Sequence, residues 1–255
     1  MSGNEASAAP FSMKRWKESM NDLVIRQDDL DKLILDYLVV EGYADVARTF
    51  ASEAKGCGEI IDPTLDARSA IREAIEQGRI EEAMDRINDY DPAIIDASPL
   101  VVFKLQQLRL IGMIRDGRGD EAISFAQTHM ATHGKANPEL LPAMEETIAL
   151  LAFPSLDDCP LKGILSGAFR EEVASLVNSI ILRTQYRESE SKLEYLMKVL
   201  VWGQTELSKR ASFPKIENLT TGELVDPSDQ RRGTESEDTE MQAQADLTRS
   251  FAHWV

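Results

Sequence analysis

Cysteine and histidine are scarce in this chain of 255 residues, which holds two of the first and three of the second. Cys57 and Cys159 stand 102 positions apart, so they make neither a disulfide framework nor a zinc pair. A reducing compartment is the natural setting. Long apolar runs are also missing. The longest clean one, Ile148 to Phe153, is far too short to span a bilayer, and the first twenty residues lack the apolar stretch of a signal peptide. The chain is therefore expected to be soluble and intracellular, and the sequon Asn218-Leu219-Thr220 reads as chance. Positive charge is in deficit. A net charge of −16 argues against nucleic acid as a partner, because phosphate binding is driven by clustered Lys and Arg. Residues 226–255 hold seven acids and three Arg, so the tail carries only −4 of that total and the body is itself acidic.

Catalytic signatures are lacking too. There is no G-x-S-x-G and no P-loop, and Gly56-Cys57-Gly58 follows a helical pattern, where it reads as a cap. Cys57 has no assignable catalytic histidine, which leaves a reactive thiol there without support. His129 and His133 are spaced i, i+4, as metal ligands on one helix face would be. The Glu of H-E-x-x-H and a third ligand are both absent, so this is an ordinary helix end before Gly134. No catalytic, cofactor-binding or metal-binding residue is assigned, and no cofactor is expected. Nor does any stretch alternate convincingly as a strand.

What the chain does have is helical period and an internal repeat. Residues 71–87 and 110–126 match at an offset of 39: Ile71-Ala74-Ile75 maps onto Leu110-Met113-Ile114, and Gly78-Arg79 onto Gly117-Arg118. Glu81-Glu82-Ala83-Met84 maps onto Asp120-Glu121-Ala122-Ile123. Each copy reads as a helix, a Gly-Arg turn and a second helix opening with two acids, the pattern of stacked helix pairs. No third copy follows, so the repeat is a local packing unit rather than a solenoid.

Before it lies a hairpin. Leu30, Leu33, Ile34, Tyr37 and Leu38 form one helical stripe ended by Gly42; Tyr43, Val46, Ala47, Phe50 and Ala54 form another, closed by Gly56 and Gly58. A unit of about thirty residues seldom folds alone. It needs a second surface, either a matching hairpin from another chain or the rest of its own. Downstream, Ser98-Pro99 signals a helix start, and Leu100, Val101, Phe103, Leu105, Leu108 and Ile111 make that helix apolar on much of its circumference, hence central. Further helices are expected over about 139–152, stopped by Pro154, then 169–184 and 191–207, with a loop over 154–167. Lys14-Arg15-Trp16-Lys17 is a short basic stretch, read as a flexible leading segment that docks Trp16 rather than as a nuclear-import signal. Residues 226–250 are polar and acidic and are expected to be disordered, with Phe251 and Trp254 as a candidate short docking element.

Leu30-x-x-Leu33-Ile34-x-x-Tyr37-Leu38 followed by Gly42-Tyr43-x-x-x-Ala47-x-x-Phe50-x-x-Glu53 resembles a LisH motif. The stretch 64–121 resembles a CTLH domain, and 117–216 is similar to a CRA domain. The telling CRA pieces are Leu150-Leu151-Ala152-Phe153-Pro154, Arg170-Glu171-Glu172-Val173-Ala174 with Asn178, and Leu193-x-x-Leu196-x-x-Val199-Leu200-x-Trp202-x-Gln204 with Phe213-Pro214-Lys215. The order matches the LisH–CTLH–CRA family, and within it the short scaffold subunits of the glucose-induced-degradation, or CTLH, ubiquitin ligase.

That resemblance implies an all-α fold: a flexible segment 1–25, a LisH hairpin 26–58, a compact CTLH–CRA helical bundle, and an acidic tail 217–255. It implies a non-catalytic scaffold, cytoplasmic and nuclear. RanBP-type subunits carry a SPRY domain before LisH, and RING-type subunits carry a Cys/His-rich module that this composition cannot build. The implied partners are a RanBP-type LisH/SPRY subunit, RING-type CTLH subunits, and other LisH-containing chains or a second copy, with no nucleic acid and no membrane. The implied LisH pairing interface is Leu30, Leu33, Ile34, Tyr37, Leu38, Tyr43, Ala47 and Phe50. Phe103, Leu105, Leu108, Leu151, Phe153, Leu196, Leu200 and Trp202 are expected in the CTLH–CRA core or at a partner contact. The alternative is a stand-alone LisH-driven oligomeric adaptor in cytoskeletal or transcriptional regulation.

Overall fold

The computed structural model describes residues 11–226 other than 55, 154, 157, 158, 186 and 220. The acidic tail beyond Asp226, with Phe251 and Trp254, and the Pro154 stop signal lie outside the described residues. Among the described residues the fold is all-α apart from one small hairpin. In chain order the helices are α1 (Met13–Asn21), α2 (Gln27–Glu41), α3 (Ala44–Glu53), α4 (Leu65–Glu76), α5 (Ile80–Tyr90), α6 (Ala93–Ala97) and α7 (Pro99–Arg115). Then come α8 (Gly119–Phe125), continued by a π turn at Ala126–Met130, α9 (Ala131–Ala136), α10 (Leu141–Ala149), α11 (Lys162–Leu165), α12 (Gly167–Thr184) and α13 (Lys192–Ser208). The chain divides into two compact units. The larger comprises residues 38–53 and 58–191; the other comprises residues up to 37, 54–57, and 192 onward. Helix α2 thus begins in one unit and ends in the other.

In the larger unit, α7 is the central helix, as its composition requires. Ser98 Oγ accepts from the Val101 amide and Pro99 occupies N1, which defines the start. Val101, Phe103, Leu105, Leu108, Leu110 and Ile111 are all buried. Its one buried polar side chain, Gln107, donates to Thr147 Oγ1 at 2.8 Å and to the Ala143 carbonyl at 3.2 Å, so α10 is tied to α7 by hydrogen bonds as well as apolar contact. Ile71 and Ile75 of α4, Ile80 and Ile87 of α5, and Val173, Val177 and Ile181 of α12 close the core.

The 39-residue repeat is realised in matching hydrogen bonds at its turns. The Gly78 amide bonds to the Ile75 carbonyl and the Arg79 amide to Ala74; Gly117 and Arg118 repeat this on Ile114 and Met113. This is the Schellman pattern, and both glycines have the positive φ it requires, 75° and 74°. A third copy precedes these two. Gly42 (φ 85°) bonds to Val39, and the Tyr43 amide to Leu38.

Side by side, the three turns read Gly42-Tyr43-Ala44-Asp45-Val46-Ala47, Gly78-Arg79-Ile80-Glu81-Glu82-Ala83 and Gly117-Arg118-Gly119-Asp120-Glu121-Ala122. The pattern common to all three is Gly-x-x-acid-x-Ala. The acid sits in the first turn of the next helix, where the dipole favours it. Ala47, Ala83 and Ala122 are each fully buried, and at Ala83 and Ala122 the small side chain lets α5 lie close against α4 and α8 close against α7.

In the other unit, part of the leading segment 1–25 expected to be flexible is helical, as α1 over Met13–Asn21. Ser12 caps it, and Trp16 stacks on Phe213 with ring centroids 5.6 Å apart. The Lys192 amide and ammonium both donate to Asp36 of α2, at 2.8 and 2.7 Å, which fixes the start of α13. A hairpin of β1 (Lys215–Asn218) and β2 (Glu223–Val225) corrects the expectation of no strand and of a tail unstructured from 217. Its register is too short for alternation to be legible, and a side chain helps hold it: Gln204 of α13 accepts from the Ile216 amide at 2.6 Å and donates to its carbonyl. A short helix, α11, also interrupts the expected loop over 154–167.

Candidate assembly surfaces

The residues expected at the LisH pairing interface, and those expected in the CTLH–CRA core or at a partner contact, fall into three groups. Phe103, Leu105 and Leu108 are buried core, and Leu151 and Phe153 are half-buried against that core. Ala47 is buried, so it cannot meet a partner. Leu33, Tyr37, Leu38, Tyr43 and Phe50 are half-buried. Leu30 and Ile34 of α2 are exposed, as are Leu196, Leu200 and Trp202 of α13.

Helix α13 is unusual for its composition. None of its residues is fully buried, although Tyr195, Leu196, Val199, Leu200, Trp202 and Leu207 are all large and apolar. Trp202 is 65% exposed and Tyr195 60%. Leu23, Val24 and Ile25, in the same unit ahead of α2, are exposed as well. Large exposed apolar patches are what interaction surfaces are made of, and Trp and Tyr are the residue types that anchor interfaces.

The larger unit contains a polar site that sequence reasoning misses. Arg68 and Arg72 project from adjacent turns of α4 and hold the C-terminal end of α2. Arg68 donates to the carbonyls of Val39 (2.8 Å) and Val40 (2.9 Å), to Asn178 Oδ1 (2.6 Å), Asp62 Oδ2 (2.9 Å) and Thr64 Oγ1 (3.1 Å). Arg72 donates to the Glu41 carbonyl (2.7 Å), the Glu41 carboxylate (2.6 Å) and Ser175 Oγ (2.8 Å), with its guanidinium 4.5 Å from the centre of the Tyr43 ring. Asn178 adds a bond to Val40.

A helix end leaves four carbonyls without intrahelical partners. Here Leu38 and Val39 accept from the Gly42 turn, Val39 and Val40 from Arg68, and Glu41 from Arg72, so all four are satisfied. The two cations also complement the negative end of the helix dipole. Because Asn178 and Ser175 belong to α12, the turn after α2 is bound to both α4 and α12 rather than swinging freely.

Asp62 compensates the buried Arg68 charge. Burial opposes its ionisation, but hydrogen bonds from Arg187, Thr64 and Arg68 outweigh that and hold its carboxyl far below the usual range. Burial lowers the Arg68 pKa, and Asp62 opposes this. A signal for this site is present in the sequence: Arg68 and Arg72 occupy places on the buried stripe of α4 that runs through Leu65, Ile71 and Ile75. A cation on a core stripe requires a buried partner.

Neither metal chemistry nor thiol chemistry gains support. His129 is exposed with its ring 4.8 Å from that of Phe125, and the side chain of His133 lies outside the described residues. Among the described residues no three metal-capable side chains cluster. Burial pushes the Cys57 thiol up, which disfavours the reactive thiolate. Among the described residues no helix is long and apolar enough to cross a membrane.

Residues 64–208 match the CTLH/CRA C-terminal to LisH motif domain, and residues 28–54 match LisH. Over 219 residues the chain is 39% identical to Protein GID8 homolog of Arabidopsis thaliana, covering 86% of this chain and 90% of that one. It is 36% identical to the Glucose-induced degradation protein 8 homolog of Dictyostelium discoideum over 86% of this chain and 96% of the relative. It is 33% identical to GID complex subunit 8 of Schizosaccharomyces pombe over 83% and 90%. With a family match across more than half its length and relatives aligned nearly end to end, this chain belongs to the LisH–CTLH/CRA family, alongside the GID8 proteins.

Proposed function

We propose that this protein is a non-catalytic scaffold subunit of a GID/CTLH-type E3 ubiquitin ligase, acting in the cytoplasm and nucleus. It joins a RanBP-type SPRY subunit to RING-type subunits through its LisH, CTLH and CRA helices, so that substrate receptor and catalytic module face one another for proteasome-dependent degradation. The observation that carries this reading is the exposed apolar surface of α2 and α13, where Leu30, Ile34, Tyr195, Leu196 and Trp202 await cover. Relatives named as GID complex subunits support it.

The test is purification of the tagged protein from its own cells, beside a Leu196→Asp/Trp202→Asp variant. RING-type and SPRY-type chains are expected with the native protein. The variant is expected to lose at least one of them while its helical circular dichroism is unchanged, because both side chains are exposed. A native preparation without ubiquitin-ligase subunits would favour the stand-alone adaptor and sink the proposal.

A further inference from the structure

A second surface of the smaller unit has opposite chemistry. In a chain of net charge −16, six cations lie within four positions of the two rings of one aromatic contact, Trp16 and Phe213. Lys14, Arg15 and Lys17 lie on α1; Lys209, Arg210 and Lys215 lie on the segment running from the end of α13 into β1. The two segments are held together by the Trp16–Phe213 stack and by the Phe11 amide, which donates to the Ser212 carbonyl at 3.0 Å. Lys14 pairs with Glu18 and Lys209 with Glu206. Arg15, Lys17, Arg210 and Lys215 make no ion pair among the described residues, and Arg15 lies over the Phe11 ring at 5.3 Å.

The described chain ends beside this cluster. In the hairpin, Val225 is the partner of Lys215, and Asp226 follows. Residues 234–246 then carry five acids (Glu235, Glu237, Asp238, Glu240 and Asp246) and no base. The intervening residues can span up to about 28 Å, ample to return the acids to the cations.

We propose that this basic cluster is the docking surface for the chain's own acidic segment 234–246. Charge complementarity and a short tether select this occupant. The tether gives an effective concentration on the order of millimolar, so a contact too weak to form between separate molecules is well populated within one. The segment thereby acts as a built-in competitor against any other acidic peptide at this surface.

A fluorescently labelled peptide of residues 234–246 provides the test, by anisotropy on the full chain. The comparison chain has its own segment neutralised (Glu235→Gln, Glu237→Gln, Asp238→Asn, Glu240→Gln, Asp246→Asn). The neutralised chain is expected to bind the peptide about tenfold more tightly than the native chain, whose tethered copy competes. Raising salt from about 50 to about 500 mM is expected to weaken binding about tenfold, as screened surface charges require. In the neutralised chain, Lys17→Glu/Arg210→Glu is expected to abolish binding, and Lys17→Gln/Arg210→Gln to weaken it. No binding to the neutralised chain, or undiminished binding after both pairs of substitutions, would overturn the site. Equal binding by native and neutralised chains would mean that the surface is open to outside partners, which overturns the cover. Competition that disappears on dilution would assign the occupant to a second copy, which overturns it equally.

Discussion

Replacing Arg68 by Met tests whether the buried arginine site holds the turn after α2. Methionine fills a similar volume but removes a cation that uses its guanidinium nitrogens in five hydrogen bonds. Deleting one partner of a buried ion pair typically costs about 3–5 kcal/mol, because the other is left uncompensated. Several groups keep second partners here: Asp62 retains Arg187 and Thr64, Val40 retains Asn178, and Val39 retains the Gly42 amide. The expected loss is therefore at the lower end, about 3 kcal/mol. With an unfolding slope of about 3 kcal/mol per molar urea, the midpoint should fall by about 1 M. Equilibrium urea unfolding followed by helical circular dichroism measures this. Arg68→Lys should recover only part of the loss, since one ammonium cannot span the carbonyls and carboxylate that a planar fork reaches. A loss below about 1 kcal/mol for Arg68→Met, ordinary for a surface position, would refute the reasoning.

The pH dependence of this site has a definite sign. The folded carboxyl of Asp62 is depressed, so its contribution is fully present above the unfolded value of about 3.9 and is lost as pH falls below that toward the folded value. Asp62→Asn should be less stable than the native chain at neutral pH by about 2 kcal/mol, with the gap narrowing in melts at about pH 4 and about pH 3; a constant gap would contradict this. The three turns differ in what a methyl group would meet. Gly117→Ala should cost about 1–2 kcal/mol, from its left-handed backbone alone, since nothing lies near the added atom. Gly42→Ala should cost more, because its Cβ would stand 3.3 Å from both Arg68 and Asn178; thermal melts showing the reverse order would rule out that crowding.

Helical periodicity and turn chemistry make much of the architecture legible. The all-round apolar composition of α7 predicts a central helix, and the central helix is where it lies, because such a surface has no stable place in water. The Gly-Arg turns are readable because a Schellman cap needs positive φ, which glycine adopts without strain. The first copy of that turn is harder to see, since Tyr43 replaces the arginine and only the wider spacing of Gly, acid and Ala is shared. The strands escape a pattern-based reading because seven residues in a two-stranded hairpin offer almost no alternation, and contacts from Gln204 supply what pattern does not.

The helical class, the repeated packing unit and the set of apolar residues are all written in the chain itself, since each follows from local periodicity or from the conformational range of one residue type. The division of those apolar residues between core and surface is not: Leu105 is buried and Leu196 exposed, although both belong to strongly apolar helices. That division depends on which helices pack against each other. Folding alone brings Arg68 within reach of Val40 and of Asn178, the latter 110 positions away, and so turns two arginines on a core stripe into the bond between the LisH turn and the helices behind it.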